Sequence, residues 1–82
     1  MMFNVKLFAI LAEQIGQTEV QLSLTAPITA AAVKAALQEQ FPQTAAVLAD
    51  CLVAINQTFV SEERFAPDEV TEIALIPPVS GG

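Results

Sequence analysis

The first residues of the chain alternate. In "MFNVKLF", Phe3, Val5 and Leu7 fall on one side and Asn4, Lys6 and Phe8 on the other, the period-two signature of a half-buried strand. "AILAEQIG" follows as a short helical turn, with Gly16 placed to end it. "TEVQLSL" alternates again, setting Val20, Leu22 and Leu24 against Glu19, Gln21 and Ser23. The link is too short for an ordinary parallel crossover, so the first two strands are expected to form an antiparallel hairpin with a widened loop.

Pro27 stops the second strand, and "ITAAAVKAALQEQFP" predicts the main helix. Thr29 can cap its first amides, and Ile28 and Val33 are spaced as a hydrophobic staple. Val33, Leu37 and Phe41 recur every four residues as the buried stripe, flanked by Ala30 and Ala36, while Lys34, Gln38 and Glu39 face water. Pro42 closes the helix. "QTAAVLAD" reads as a connection with a helical turn, "CLVAI" as a third strand, "NQ" as a tight turn, and "TFV" as a short edge strand. "SEERFAPDE" reads as loop. "VTEIALI" is the last strand, with Ile73 and Leu75 on one face and Glu72, Ala74 and Ile76 on the other. The expected fold is α+β, a mixed five-stranded sheet packed on one main helix, because each strand has one apolar face and the helix one apolar stripe.

Composition narrows the chemistry. The 82 residues form one domain, with 54% hydrophobic and 15% charged residues, enough for a core and some apolar surface left for a partner. Three basic residues against nine acidic ones give a net charge of −6, which argues against binding DNA or RNA. The chain has no histidine, so Ser–His and Cys–His catalysis are excluded and a usual zinc site has no imidazole ligand. Cys51, the single cysteine, lies in an apolar run and reads as a small buried hydrophobe compatible with a reducing cytosol. The one internal glycine, Gly16, rules out a phosphate-binding glycine loop. The acidic pairs Glu62–Glu63 and Asp68–Glu69 read as a solvated loop, Arg64 and Lys34 as surface cations, and Asn56 and Gln57 as turn formers. No stretch is apolar enough for a membrane span, and "LFAILA" is too short for a secretory signal, so a cytoplasmic protein is expected.

The tail carries the remaining signal. Residues 1–76 make the expected domain and 77–82 an extended flexible end, "PPVSGG". Pro77 and Pro78 cannot donate to a sheet ladder and fix a polyproline-like direction. The six residues could project on the order of 20 Å. Gly81 and Gly82 carry no Cβ and would pass through a narrow tunnel that rejects side chains. A stiff spacer followed by a slim terminus suits delivery of a carboxyl group into another protein's active site.

"VKLFAILAEQIG" (Val5 to Gly16), "LVAINQTFV" (Leu52 to Val60) and "IALIPPVSGG" (Ile73 to Gly82) resemble the ubiquitin-like β-grasp proteins. The finer resemblance is to the small, sulfur-carrying subunit of molybdopterin synthase, the MoaD type. The acidic, glycine-containing turn usual before the last strand of that family reads Glu69-Val70-Thr71-Glu72 here. The resemblance implies that an ATP-dependent, E1-like enzyme adenylates Gly82 and that sulfur from a donor protein converts it to a thiocarboxylate. The tail would then enter the large synthase subunit and give its sulfur to cyclic pyranopterin monophosphate. It implies that Pro77, Pro78, Val79, Ser80 and Gly81 thread the tail, and that this chain binds no cofactor of its own, ATP being used by the activating enzyme. Phe8, Ala74 and Ile76, on the outer sheet face, are the expected partner contacts. A ubiquitin-like modifier joined to lysines through Gly82, a thiamine-type sulfur carrier, and an interaction module with an inert tail are the alternatives.

Overall fold

The structure, a computed structural model, describes residues 1–78. Five strands, β1 (Met2–Leu7), β2 (Glu19–Ser23), β3 (Leu52–Ile55), β4 (Thr58–Val60) and β5 (Ile73–Ile76), form one sheet in the order β2-β1-β5-β3-β4. β1 pairs antiparallel with β2 and parallel with β5, and β3 pairs antiparallel with both β5 and β4. The sheet is therefore mixed, and its central strand is the last one in the sequence. Apolar alternation settles which face is inward: Val5, Leu7, Val20, Leu22, Val53, Ile55, Ile73 and Leu75 are all buried on one side.

Three helices cover that side, α1 (Ala9–Ile15), α2 (Ala30–Gln40) and α3 (Ala45–Leu48): α2 is the expected main helix, and the other two fall where helical turns were expected. The two short ones belong to the core because Leu11 and Leu48 are fully buried in it. Gly16 ends α1 in the left-handed conformation (φ 81°), and its N–H donates to the Ala12 carbonyl at 2.8 Å. Thr29 caps α2 through its hydroxyl, which accepts from the Ala32 N–H at 3.1 Å. Val33 and Leu37 are the buried stripe of α2, while Lys34 is half-buried rather than fully exposed. Phe41 lies one residue past the helix, partly buried against the core. Pro42 starts a 3-10 turn (Pro42–Thr44) instead of merely ending the helix. Thr44 in that turn is fully buried, and its hydroxyl donates to the Phe41 carbonyl at 2.7 Å.

Asn56 and Gln57 join β3 to β4 with φ of 54° and 68°. Positive φ at both central residues makes this a type I′ turn, whose twist matches that of the strands it joins. The segment expected to be plain loop is tied down at two places. Ile28 and Phe65 exchange backbone hydrogen bonds at 2.8 and 2.9 Å, and Pro67–Glu69 form a 3-10 turn in which Glu69 Oε1 accepts from the Ala66 N–H at 2.8 Å. Periodicity could not show either tie, since one is a long-range backbone bridge and the other depends on Pro67 at the start of the turn.

Candidate functional site

β5 reaches the carboxyl-terminal side of the fold flanked on both edges, with Leu75 level with Leu7 of β1 and with Val53 of β3. A strand held on both sides has little freedom of direction, so it delivers the following residues from a fixed point. Pro77 is buried and Pro78 exposed, so the chain leaves the body between the two prolines. The expected threading residues Val79, Ser80 and Gly81 and the expected reactive residue Gly82 lie outside the described residues.

The outer face beside that exit point is apolar. Lys6, Ala74, Ala54 and Phe59 form one row across four strands, and Ile76 and Leu52 pair in the next. Phe8 follows β1 directly and is 45% exposed, and Leu52 and Phe59 are 51% and 58% exposed. Phe8 also lines a hollow of about 480 Å³ with Leu7, Ala9 and Ala12, walled by Lys6 and Glu19. Ala9 holds φ 51° there, in the left-handed region a non-glycine residue seldom occupies, which turns the chain sharply into α1.

Of the three expected contact residues, Phe8 is open and Ile76 half-buried, but Ala74 is only 6% exposed. Ala74 does lie on the outer face, yet its methyl sits on the central strand between Lys6 and Ala54, below the reach of longer neighbours. It forms the floor of the patch rather than its contact surface. Leu52 and Phe59 are the outer-face residues the sequence reading passed over. The alternation of "LVAI" against the buried Val53 and Ile55 pointed to Leu52, but only the strand order brings it beside Ile76. Charge surrounds the patch: Lys6 Nζ lies 3.4 Å from Glu72 Oε2, and Glu19 stands across from Lys6 on β2. Both partners of that ion pair are substantially solvated, so it contributes little to stability.

Among the described residues, no group of three or more acidic or cysteine side chains is placed to hold a metal ion. Cys51 is buried, its Sγ donating to the Val47 carbonyl at 3.3 Å. Burial pushes its thiol above the ordinary range, against a smaller opposing pull from Lys34, so it stays protonated rather than nucleophilic. Glu63 is held below the usual carboxylate range, chiefly by the Ser61 N–H donating to it at 2.7 Å, and it is solvated as expected for that loop. No described helix is long and apolar enough to cross a membrane.

A five-stranded mixed sheet over a long helix, with the central strand running into the terminal segment, is the ubiquitin-like β-grasp architecture. The chain belongs to the ThiS family, whose model matches residues 5–82. It is 34% identical over 84 residues to the molybdopterin synthase sulfur carrier subunit of Dictyostelium discoideum, spanning 98% of this chain and 95% of that protein. The crystal structure of SAMP1 from Haloferax volcanii superposes with a TM-score of 0.79 at 30% identity, over the full length of both chains. A second structure of that small archaeal modifier protein gives a TM-score of 0.73 at 25% identity, covering 95% of this chain and 98% of the other. A putative molybdopterin converting factor subunit 1 from Pyrococcus furiosus shares the fold, with a TM-score of 0.76 at 19% identity over 96% of this chain and 99% of that one.

Proposed function

We propose that this protein is a sulfur carrier of the molybdopterin synthase type, acting through the carboxylate of Gly82. In this reading the carboxylate oxygen attacks the α-phosphate of ATP on an activating enzyme, releasing pyrophosphate and leaving an acyl adenylate. Sulfide supplied by a donor protein then attacks the acyl carbon, forming the C–S bond as the C–O bond to AMP breaks, and the product is a thiocarboxylate. In the large synthase subunit the thiocarboxylate sulfur attacks cyclic pyranopterin monophosphate, and water then cleaves the acyl–sulfur bond, leaving the sulfur on the pterin and a carboxylate on Gly82. A carboxylate is a poor acyl donor until a good leaving group is attached, so activation has to come from elsewhere. A chain without histidine suits a carrier whose catalytic groups stand on its partners.

The observation that carries the reading is the position of β5. It is the central strand, it opens to solvent at Pro78, and the exposed apolar residues Phe8 and Leu52 lie beside the exit. A partner that covers this face receives the residues that follow. The Dictyostelium relative, named as a sulfur carrier subunit, supports the same role. The likeness to a small archaeal modifier protein favours a second reading, in which the adenylate is captured by a lysine amine and Gly82 ends in an isopeptide bond.

Intact-mass spectrometry of the protein isolated from its own cells separates the two. Exchange of one oxygen for sulfur, confined to Gly82, is expected for the carrier; branched peptides bearing Gly-Gly on lysine are expected for the modifier. Deleting Gly82, or adding a residue after it, is expected to abolish the thiocarboxylate and molybdopterin synthesis. Intact cofactor synthesis in either variant would refute the carrier.

A further inference from the structure

Asn56 does far more than form a turn. Its Oδ1 accepts from the Thr71 N–H at 2.7 Å, the Thr71 hydroxyl at 2.9 Å and the Glu72 N–H at 3.2 Å. Its Nδ2 donates to the Glu69 carbonyl at 2.8 Å, and its backbone N–H donates to the Glu72 carbonyl at 2.8 Å. Every one of these partners lies in residues 69–72, the segment that leads directly into β5. A left-handed residue (φ 54°) with a short amide side chain suits both tasks, because asparagine tolerates that conformation and offers a donor and an acceptor together. Gln57 Nε2 and Lys6 Nζ reach the two carboxylate oxygens of Glu72, each at 3.4 Å, and extend the tie to β1.

The tie acts on a strand that needs it. β5 has four residues, and a two-residue slide is the smallest that keeps its apolar side chains inward. Sliding in the direction that shortens the tail would bring Pro77 into the place of Leu75, where a proline cannot donate to the ladder. Sliding the other way would bring Thr71 into the place of Ile73 and tear Thr71 and Glu72 from Asn56. Either slide would change the reach of the tail by about 6.6 Å, at roughly 3.3 Å per residue. The geometry points to Asn56 as a positioning residue for the terminal carboxyl group: by holding residues 69–72 it fixes the register of β5, and with it the distance from the docking face to Gly82. This role rests on the carrier reading above.

The test compares the 82-residue chain with Asn56→Gly, Asn56→Asp and Thr29→Ala. Glycine keeps the positive φ and removes the side-chain bonds. Aspartate keeps the accepting oxygen and loses the donor. Thr29→Ala destabilises the fold remotely, by removing a helix cap. Amide exchange in Asn56→Gly is expected to quicken by roughly ten- to a hundredfold at Thr71 and Glu72 and onward through Ile73–Ile76. The kcat for thiocarboxylate formation by the activating enzyme and sulfur donor is expected to fall about tenfold, with KM changed less than about twofold, because docking survives while the reacting group is misplaced. Asn56→Asp recovers part of both, whereas Thr29→Ala quickens exchange only as far as its global cost of about 1 kcal/mol allows, about fivefold, and leaves kcat unchanged. Unchanged protection of Ile73–Ile76 in Asn56→Gly, or an equal loss of kcat in Thr29→Ala, would overturn the proposal. If wild-type protein never forms a thiocarboxylate, the carrier reading falls, while the exchange measurement still decides whether Asn56 holds β5.

Discussion

Truncating Leu52 to alanine separates the face that holds the fold together from the face proposed for docking. Leu52 is 51% exposed on the outer side of β3, beside Ile76, whereas its neighbour Val53 is 2% exposed in the core. Fully burying a leucine side chain is worth about 1.5–3 kcal/mol, so a half-exposed one contributes about 1 kcal/mol to the folded chain. For a domain of this size that lowers Tm by roughly 4–8 °C. On docking, the exposed half leaves water, and truncation of a centrally placed apolar contact costs about 1–2 kcal/mol of binding, a five- to thirtyfold rise in Kd. Calorimetric titration of the variant into the large synthase subunit or the activating enzyme measures that rise, and a thermal melt measures the stability. A Kd within about twofold of wild type for both partners would refute the assignment of this face to docking. A Tm loss well beyond 10 °C, of the size expected for a core leucine, would mean that the residue is not solvent-facing as described.

Three further outcomes follow from the same structure. Thr29→Ala removes the hydroxyl that accepts from Ala32 and is expected to cost about 1 kcal/mol in a denaturant melt, with the slope unchanged. Gly16→Ala places a Cβ where nothing lies within 4 Å, so its expected cost is conformational alone, about 1–2 kcal/mol for holding φ 81° without glycine, and Gly16→Asn should recover part of it. Cys51, whose thiol is pushed up by burial, is expected to resist iodoacetamide in the native protein at pH 8 while reacting freely in urea. Since the folded state holds that proton more tightly, the thiol's contribution to stability is fully present below the unfolded thiol pKa and is lost as pH rises through the folded one, a trend that Cys51→Ala should abolish.

Much of this protein was legible locally. The inward faces of β1, β2 and β5 follow from alternation at Val5, Leu7, Val20, Leu22, Ile73 and Leu75, and the start of α2 from Thr29 followed by a four-residue apolar repeat. Such signals survive in sequence because the residues that make them are neighbours along the chain, and the period of the pattern is the period of the element. The glycine pair after two prolines likewise marked the terminus as the place to look for chemistry, in a chain with no histidine.

The proposed docking face was decided elsewhere. Leu52 and Phe59 join Ile76 on one surface only because β3 lies between β5 and β4, and Ala74 is covered because β5 is the central strand. Asn56 reads as a turn former in isolation; its partners lie 13 to 16 residues further along, and no local rule pairs them. Periodicity tells each strand which side to bury but not which strand to lie beside. That choice belongs to the whole core, and it sets the contacts that hold β5 in place.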